Sequence, residues 1–389
     1  MSVSITHYAP SADTKGDMCI VDFFGNKVMI DGGETGVDAR LLNTELRKQP
    51  PGAAVRLPGI GSRKQPFTFI LSHWHADHYG YLEHIRTLGN IQKPNEIIYG
   101  VGDIPSHLFY LFCEESSRCI ASKSPDCVQS SCRVFASNVC KDVAKDENDL
   151  SMVTVVYADG FNFFSFGDAS SEAIRTSYDE VFQQINACPN PIIKLPHHGS
   201  YNDCNALLDK LEKKDKKYIF VISGLGATDV VGISTGDNTI AKVLAMNAQN
   251  IIFWVCKLPI SPERCLPLKR DEESKTDAVS ETQKRYPLRL SRGKKSEPDT
   301  CFNEKTFIPT LQGIYKNRFI CTNQVTFEEN SEKGIIARYH GDQEVILFHP
   351  QSSPENPAAI IDEEGEDMGS KPSSSTNIDE EDYDNEVEM

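Results

Sequence analysis

Six residues constrain this chain more than anything else in it. His73-Trp74-His75-Ala76-Asp77-His78 sets three imidazoles and a carboxylate directly after the apolar run Phe67 to Leu71. Burying that many polar groups is costly unless something compensates them. A cation does so, because imidazole is a favoured zinc ligand and carboxylate a usable one. On an extended or turning backbone, His73 and His75 project from one face, while Asp77 and His78 turn toward a neighbouring position. Two ions can then share the cluster. Four of the ten histidines (73, 75, 78 and 84) fall within 12 residues of one another, which weighs against a loop that merely happens to be His-rich. His84 is set apart, as a plain surface or packing residue on the helix expected next.

Apolar patterning supplies the scaffold. Residues 18–31 read as a hairpin around Gly25-Asn26. Strands are expected at 67–71, 97–101, 152–157, 161–166, 192–195, 218–223 and 251–255, and helices at 79–88, 178–186, 206–213 and 239–247. Strands alternating with helices predict an α/β domain with helices layered over sheet. Two strand ends can extend the ligand set: 161–166 runs into Gly167-Asp168, and 192–195 into Pro196-His197-His198-Gly199-Ser200. Sites of layered α/β folds gather at such ends, where loops vary above a rigid sheet.

The ordered set Met29-Ile30-Asp31-Gly32-Gly33, His73 to His78, Phe166-Gly167-Asp168 and Leu195 to Ser200 resembles the metallo-β-lactamase superfamily of metallohydrolases. The Pro-His-His-Gly-Ser segment, with residues 148–153 feeding the strand before Gly167-Asp168, is similar to the hydrolase domain of ComEC-type competence proteins and their soluble relatives. The resemblance covers about residues 1–256 and the last strands to about 349. It implies an αββα four-layer sandwich with one or two metal ions, zinc first and manganese as the alternative. It also implies that His73 and His75 hold one metal, that Asp77 and His78 hold the other, and that Asp168 bridges them. His197 is the expected further ligand, with His198 as fallback. Asp31 is expected to orient a ligand, or else only to form a tight turn. Asp77 is also the candidate catalytic residue, positioned to orient the attacking water.

The chain departs from the family pattern twice. The interval between the first cluster and Gly167-Asp168 offers only His84 and His107. The loop after 218–223, where ComEC-type relatives often carry a histidine, reads Gly232-Ile233-Ser234-Thr235-Gly236-Asp237. One metal position is therefore expected to be weaker, completed by water or served by Asp237, and a single-metal enzyme stays open.

Composition bounds the rest. No run reaches the roughly 18–20 apolar residues of a membrane helix, and the N-terminus has neither the basic start nor the apolar core of a secretory signal. Thirteen acidic residues and one lysine from Glu355 to Met389 carry −12 of the formal −16, which leaves −4 on everything before them. That near-neutral body argues against broad electrostatic capture of nucleic acid, though not against a local site. Twelve cysteines without a signal read as free thiols in a reducing compartment. Cys113, Cys119, Cys127, Cys132 and Cys140 lack the Cys-x-x-Cys spacing of a zinc knuckle and read as structural.

The expected organisation is a hydrolase core at 1–258, a flexible charged insertion at 259–305, final strands of the same domain at 306–349 and a disordered acidic tail at 350–389. The basic run 284–295 reads as a solvated loop, a nucleic-acid tether, or a nuclear import or tail contact. The expected protein is a soluble cytoplasmic hydrolase, nuclear if the basic run directs import, with no membrane partner. It uses metal-activated water on phosphodiesters: nucleic acid, or a small nucleotide or choline-type ester. The alternatives are hydrolysis of a small carboxylic ester, lactone or amide, and a catalytically quiet metal-binding module that meets a protein partner through its insertion or tail.

Overall fold

The computed structural model describes residues 3–11, 16–48, 66–114, 116–121, 125–211, 216–224, 239–256, 268–270, 288–290, 318–341 and 343–350. In chain order the strands are β1 (Ser4–Tyr8), β2 (Met18–Phe23), β3 (Asn26–Gly32), β4 (Phe67–Leu71), β5 (Glu96–Gly100), β6 (Ser116–Ile120), β7 (Asp126–Gln129), β8 (Cys132–Phe135), β9 (Val153–Tyr157), β10 (Asn162–Ser165), β11 (Pro191–Lys194), β12 (Ile219–Ser223), β13 (Ile251–Val255), β14 (Leu268–Arg270), β15 (Leu288–Leu290), β16 (Phe319–Thr322), β17 (Gln324–Asn330), β18 (Gly334–Tyr339) and β19 (Gln343–Phe348). The helices are α1 (Gly36–Leu46), α2 (Ala76–Thr87), α3 (Phe109–Glu114), α4 (Ser171–Thr176), α5 (Asp179–Ala187), α6 (Tyr201–Asp209) and α7 (Thr239–Met246).

Two mixed sheets organise these elements. One runs β19-β18-β17-β1-β2-β3-β4-β5-β6 and the other β16-β13-β12-β11-β10-β9-β8-β7. Three apolar interfaces separate four layers, because each central strand buries both its faces. Ala39, Leu42 and Leu46 of α1 and Tyr81, Leu82 and Ile85 of α2 pack on Ile20, Met29, Phe69 and Leu71 of the first sheet. The opposite faces of those strands carry Val21, Val28, Ile30 and Ile70, which meet Val156, Phe163, Ile192, Val221 and Phe253 of the second sheet. The outer face of that sheet, with Val155, Phe164, Ile193 and Phe220, is covered by α4 to α7 through Ile174, Phe182, Leu207 and Val243. Neighbours such as Phe163 and Phe164 thus serve different cores, as strand alternation requires. The fold is the αββα sandwich expected from the sequence.

The C-terminal strands divide between the sheets. β16 pairs parallel with β13, whereas β17 pairs antiparallel with β1 in the register Ile5↔Phe327. Of the expected insertion, the described residues are the short antiparallel ladder β14–β15, Leu268↔Leu290, whose second strand lies in the basic run. The rest of 259–305 and the tail from 351 lie outside the described residues. No described helix is long and apolar enough to cross a membrane.

The topology gathers strand ends. β3 and β4 run parallel, as do β10, β11 and β12. Their carboxyl ends carry Asp31, Ser72 to His75, Gly167-Asp168, Pro196 to His198 and Ser223.

Candidate metal centre

Local backbone geometry aims each side chain. Asp31 takes a left-handed φ of +56°, which turns its carboxylate off β3 to accept from Ser72 N–H (2.8 Å), Ser72 Oγ–H (2.9 Å) and His78 Nδ1–H (3.0 Å). β4 ends at Leu71, and His75 precedes the first residue of α2 without a side-chain capping bond, so Asp77 lies in the first turn, where the helix dipole favours an anion. The helix begins three residues earlier than periodicity indicated. Its second turn lies on the β3–α1 loop: Gly80 N–H donates to Gly33 O at 2.7 Å, and a Cβ at Gly80 would stand 2.4 Å from that oxygen. Only glycine permits that approach, which holds Asp77 and His78 beside Asp31.

The loop after β11 is strained. His197, His198 and Gly199 have φ of +46°, +49° and +85°, conformations that cost a non-glycine residue roughly 1–3 kcal/mol and concentrate at functional sites. Two left-handed residues in succession send the neighbouring rings in different directions. His198 is fully buried, with Nε2 at 3.1 Å from Asp168 Oδ2 and 3.3 Å from Asp77 Oδ2. His197 leaves the cluster, with Nδ1 bonding Asp203 Oδ2 at 2.8 Å. Of the two candidates, the structure thus brings His198, the fallback, into the cluster and leaves His197 outside it.

Asp77, His78, Asp168 and His198 each present one donor atom, all within 4.8 Å of one another. His78 Nε2 stands 3.4 Å from Asp168 Oδ2 and 3.9 Å from Asp77 Oδ1. His73 and His75 lie alongside, His73 Nε2 being 3.0 Å from His75 Nδ1 and the rings of His73 and His78 4.1 Å apart. Every one of these imidazoles is held by its far nitrogen. His73 Nδ1 bonds Ser72 Oγ (3.0 Å), His75 Nε2 meets Asp146 Oδ1 (3.1 Å), His78 Nδ1 bonds Asp31, and His198 Nδ1 faces Ser223 Oγ (3.4 Å). Outer partners of this kind set the tautomer and orientation of metal-binding histidines. His78 Nε2 and Asp168 Oδ1 are buried without a hydrogen-bond partner. This donor set fits a divalent cation.

Two further histidines noted in the sequence, His84 and His107, lie apart from this cluster. Asp237 is outside the described residues. His84 bonds Thr87 Oγ1 at 3.0 Å, and His107, about half exposed, stands 4.0 Å from Glu83. No cysteine joins a metal-ligating group among the described residues.

Two residues escaped sequence reasoning. Asp17 and Lys194 form a buried ion pair behind the cluster. Lys194 Nζ also donates to Gly167 O at 2.7 Å and lies 3.6 Å from Asp168 Oδ1, while Ser223 Oγ–H donates to Asp17. One signal was available: Lys194 interrupts the apolar run Ile192-Ile193-Lys194-Leu195, a position where an ammonium requires a buried partner.

The electrostatics follow from burial against charge. Burial opposes protonation of His198, yet Asp168 and Asp77 outweigh it and lift its pKa to about 9; His78 is pushed up in the same way, chiefly by Asp168 and Asp31. Burial would raise the carboxyls of Asp77 and Asp168, but the facing imidazoles hold both well below the usual range. His73 and His7 go the other way, His7 to about 4, because burial dominates. Near neutral pH the metal-free cluster thus carries protons on His78 and His198 where a cation would sit. Cation binding must displace them. Below pH 9, apparent affinity should therefore rise about ten- to a hundredfold per pH unit, as one or two protons are released. Competition titrations at pH 6, 7 and 8 measure this, and a flat profile would contradict the protonation assignment.

No protein-family model and no curated protein matches this sequence. Similar solved structures include the metallo-beta-lactamase fold protein YhfI from Bacillus subtilis, at 9% identity and TM-score 0.40 over 64% of this chain and 95% of that one. Another is Tm1679, described as a metal-dependent hydrolase of the beta-lactamase superfamily, at 13% identity and TM-score 0.37 over 58% and 89%. A third is a diphosphatase from the PhnP family, at 12% identity and TM-score 0.34 over 56% and 85%.

Proposed function

We propose that this chain is a metal-dependent hydrolase of the metallo-β-lactamase superfamily, akin to ComEC-type hydrolase domains, that uses water to cleave phosphodiester bonds. The observation that carries the reading is the convergence of Asp77, His78, Asp168 and His198, with each imidazole fixed by a partner on its far nitrogen. Structural zinc sites close their coordination sphere, whereas catalytic ones keep a position open to solvent. Asp77 supplies that opening: its side chain is 22% exposed, while those of His78, His198 and Asp168 are 0%, 0% and 3% exposed.

Asp77, His78, Asp168 and His198 would hold a divalent cation, zinc or manganese, whose chemistry there would be to lower the pKa of a water and to polarise a phosphoryl oxygen. Asp77, at the solvent side of the cluster, would orient that water. Asp31 holds the His78 ring, and Ser223 the His198 ring, so neither reorients as charge develops. Cations held at this cluster would suit the charged oxygens of a phosphodiester better than the carbonyl of a neutral ester or lactone.

The test is elemental analysis of the purified full chain, followed by a panel of chromogenic phosphate diesters, phosphate monoesters and carboxylic esters. One to two equivalents of metal and preferential diester turnover are expected. Absence of metal, or turnover confined to carboxylic esters, would overturn the reading. Salt then separates diester classes: nucleic-acid cleavage weakens steeply as ionic strength rises, and small-ester cleavage hardly at all.

A further inference from the structure

A recess lies at the other end of the second sheet from the metal centre. β11, β12, β13 and β16 run parallel, so their amino ends share one edge, opposite the carboxyl ends near Asp168, His198 and Ser223. These strands are four or five residues long, which sets the two ends roughly 13–17 Å apart. Asn190, Lys217, Gln249 and Arg318 stand one or two residues before the four strands, and β19 closes the recess with Leu347 and Phe348. The cavity measures about 520 Å³, within the range of small-molecule sites.

Lys217 and Arg318 charge this cavity, and no Asp or Glu lines it. Lys217 Nζ donates to Leu347 O and stands 5.0 Å from the centre of the Phe348 ring. Arg318 Nε donates to Asn250 O at 3.1 Å, and its Nη2 donates to Leu244 O and Asn247 O. The acceptors are neutral carbonyls, so these bonds fix both side chains without cancelling either charge. Two N–H groups of Lys217 and the two of Arg318 Nη1 are left to give. Burial lowers the Lys217 pKa, and no facing carboxylate offsets that cost. Two half-buried like charges in one cavity repel, and an anion between them relieves both costs.

The chemistry selects the anion. A phosphate monoester carries about −1.5 to −2 near neutral pH and three strong acceptor oxygens, which matches two cations. Carboxylates and phosphodiesters carry only one charge. A guanidinium fork also meets phosphate oxygens in pairs. The cavity is larger than a bare ion needs, and the partly exposed Phe348 ring offers an apolar wall beside the ammonium.

We propose that this recess binds a small soluble phosphate monoester, with its phosphate on Lys217 and Arg318 and an apolar or aromatic organic part against Phe348. The site is separate from the metal centre, and its occupancy does not depend on the hydrolase reading.

The test is titration calorimetry of the full chain with phenyl phosphate, inorganic phosphate and phenol, run on wild type and on His198→Ala, which removes the metal centre as a rival phosphate site. Phenyl phosphate should bind saturably in both, at one equivalent in His198→Ala. Inorganic phosphate should bind at least about tenfold more weakly, because it lacks the apolar contact, and phenol should not bind. Lys217→Gln should weaken phenyl phosphate at least about tenfold, whereas Lys217→Arg keeps the charge and should keep the binding. Should Lys217→Gln not fold, as judged by its melting temperature, Gln249→Glu decides: this exposed position puts a carboxylate on the same wall and should weaken binding at least about threefold. No saturable binding of phenyl phosphate, binding that disappears in His198→Ala, or affinity indifferent to these wall substitutions would each overturn the proposal. Capture of phosphatidylcholine vesicles containing phosphatidate, with phenyl phosphate unbound, would overturn it in favour of a membrane surface.

Discussion

Alanine at His198 is expected to strip the tightly held metal and to lower diester hydrolysis by at least about 10³-fold, while alanine at His197 changes neither by more than a few-fold. The two residues are neighbours in an identical dipeptide, so composition and local propensity predict no difference. Geometry does. His198 Nε2 stands 3.1 Å from Asp168 and 3.3 Å from Asp77. His197 instead bonds Asp203, whose other oxygen accepts from Ser171 N–H at 2.7 Å, so its loss loosens the junction of α4 and α6 and leaves the cluster intact. Elemental analysis and diester turnover of both variants measure the contrast. Equal losses, or a larger loss at 197, would reverse the ligand assignment.

Lys194→Met is expected to destabilise the fold by about 3–5 kcal/mol, because removing one member of a buried pair leaves an uncompensated charge. Both residues of the pair are buried, and Asp168 Oδ1 lies 3.6 Å from the same ammonium. Burial alone would lower the lysine pKa, yet Asp17 and Asp168 more than offset this and raise it. A pKa raised above its unfolded value means the contribution is fully present below that unfolded value, about 10.4, and is lost only as pH rises beyond it. The penalty should therefore be the same at pH 6 and pH 7.5, a range in which His198, facing Asp17 and Asp168, also keeps its proton. Adding Asp17→Asn should recover a large part of the loss, since replacing both partners is far less costly than orphaning one. Urea unfolding of the single and double variants measures this, and a single-variant loss below about 1 kcal/mol would show that the pair is not energetically buried.

The parts legible in sequence share a physical reason. The strands β4, β10, β11, β12 and β13 are apolar on both faces and read as continuous runs. The motif 73–78 is legible because three imidazoles and a carboxylate in six residues are costly to bury without a cation. Less visible were β1, whose strand identity depends on pairing with β17 across the whole chain, and α1, where Thr35 and Asp38 form a capping box but the apolar stripe is short. The strands β6, β7 and β8 carry exposed positions on one face and lack the pattern of a central strand.

Taken alone, the sequence determined an α/β chain and the order of its candidate ligand segments, because burial patterns and ligand chemistry are local properties of a chain; the αββα arrangement was what the family resemblance of those segments implied. Only tertiary structure decided that His198 and not His197 turns inward, that Asp17 and Lys194 stand behind Asp168, and that Asp146 meets His75. Those outcomes depend on left-handed backbone at 197–199 and on contacts between residues as far apart as Asp17 and Ser223, and no local pattern encodes either.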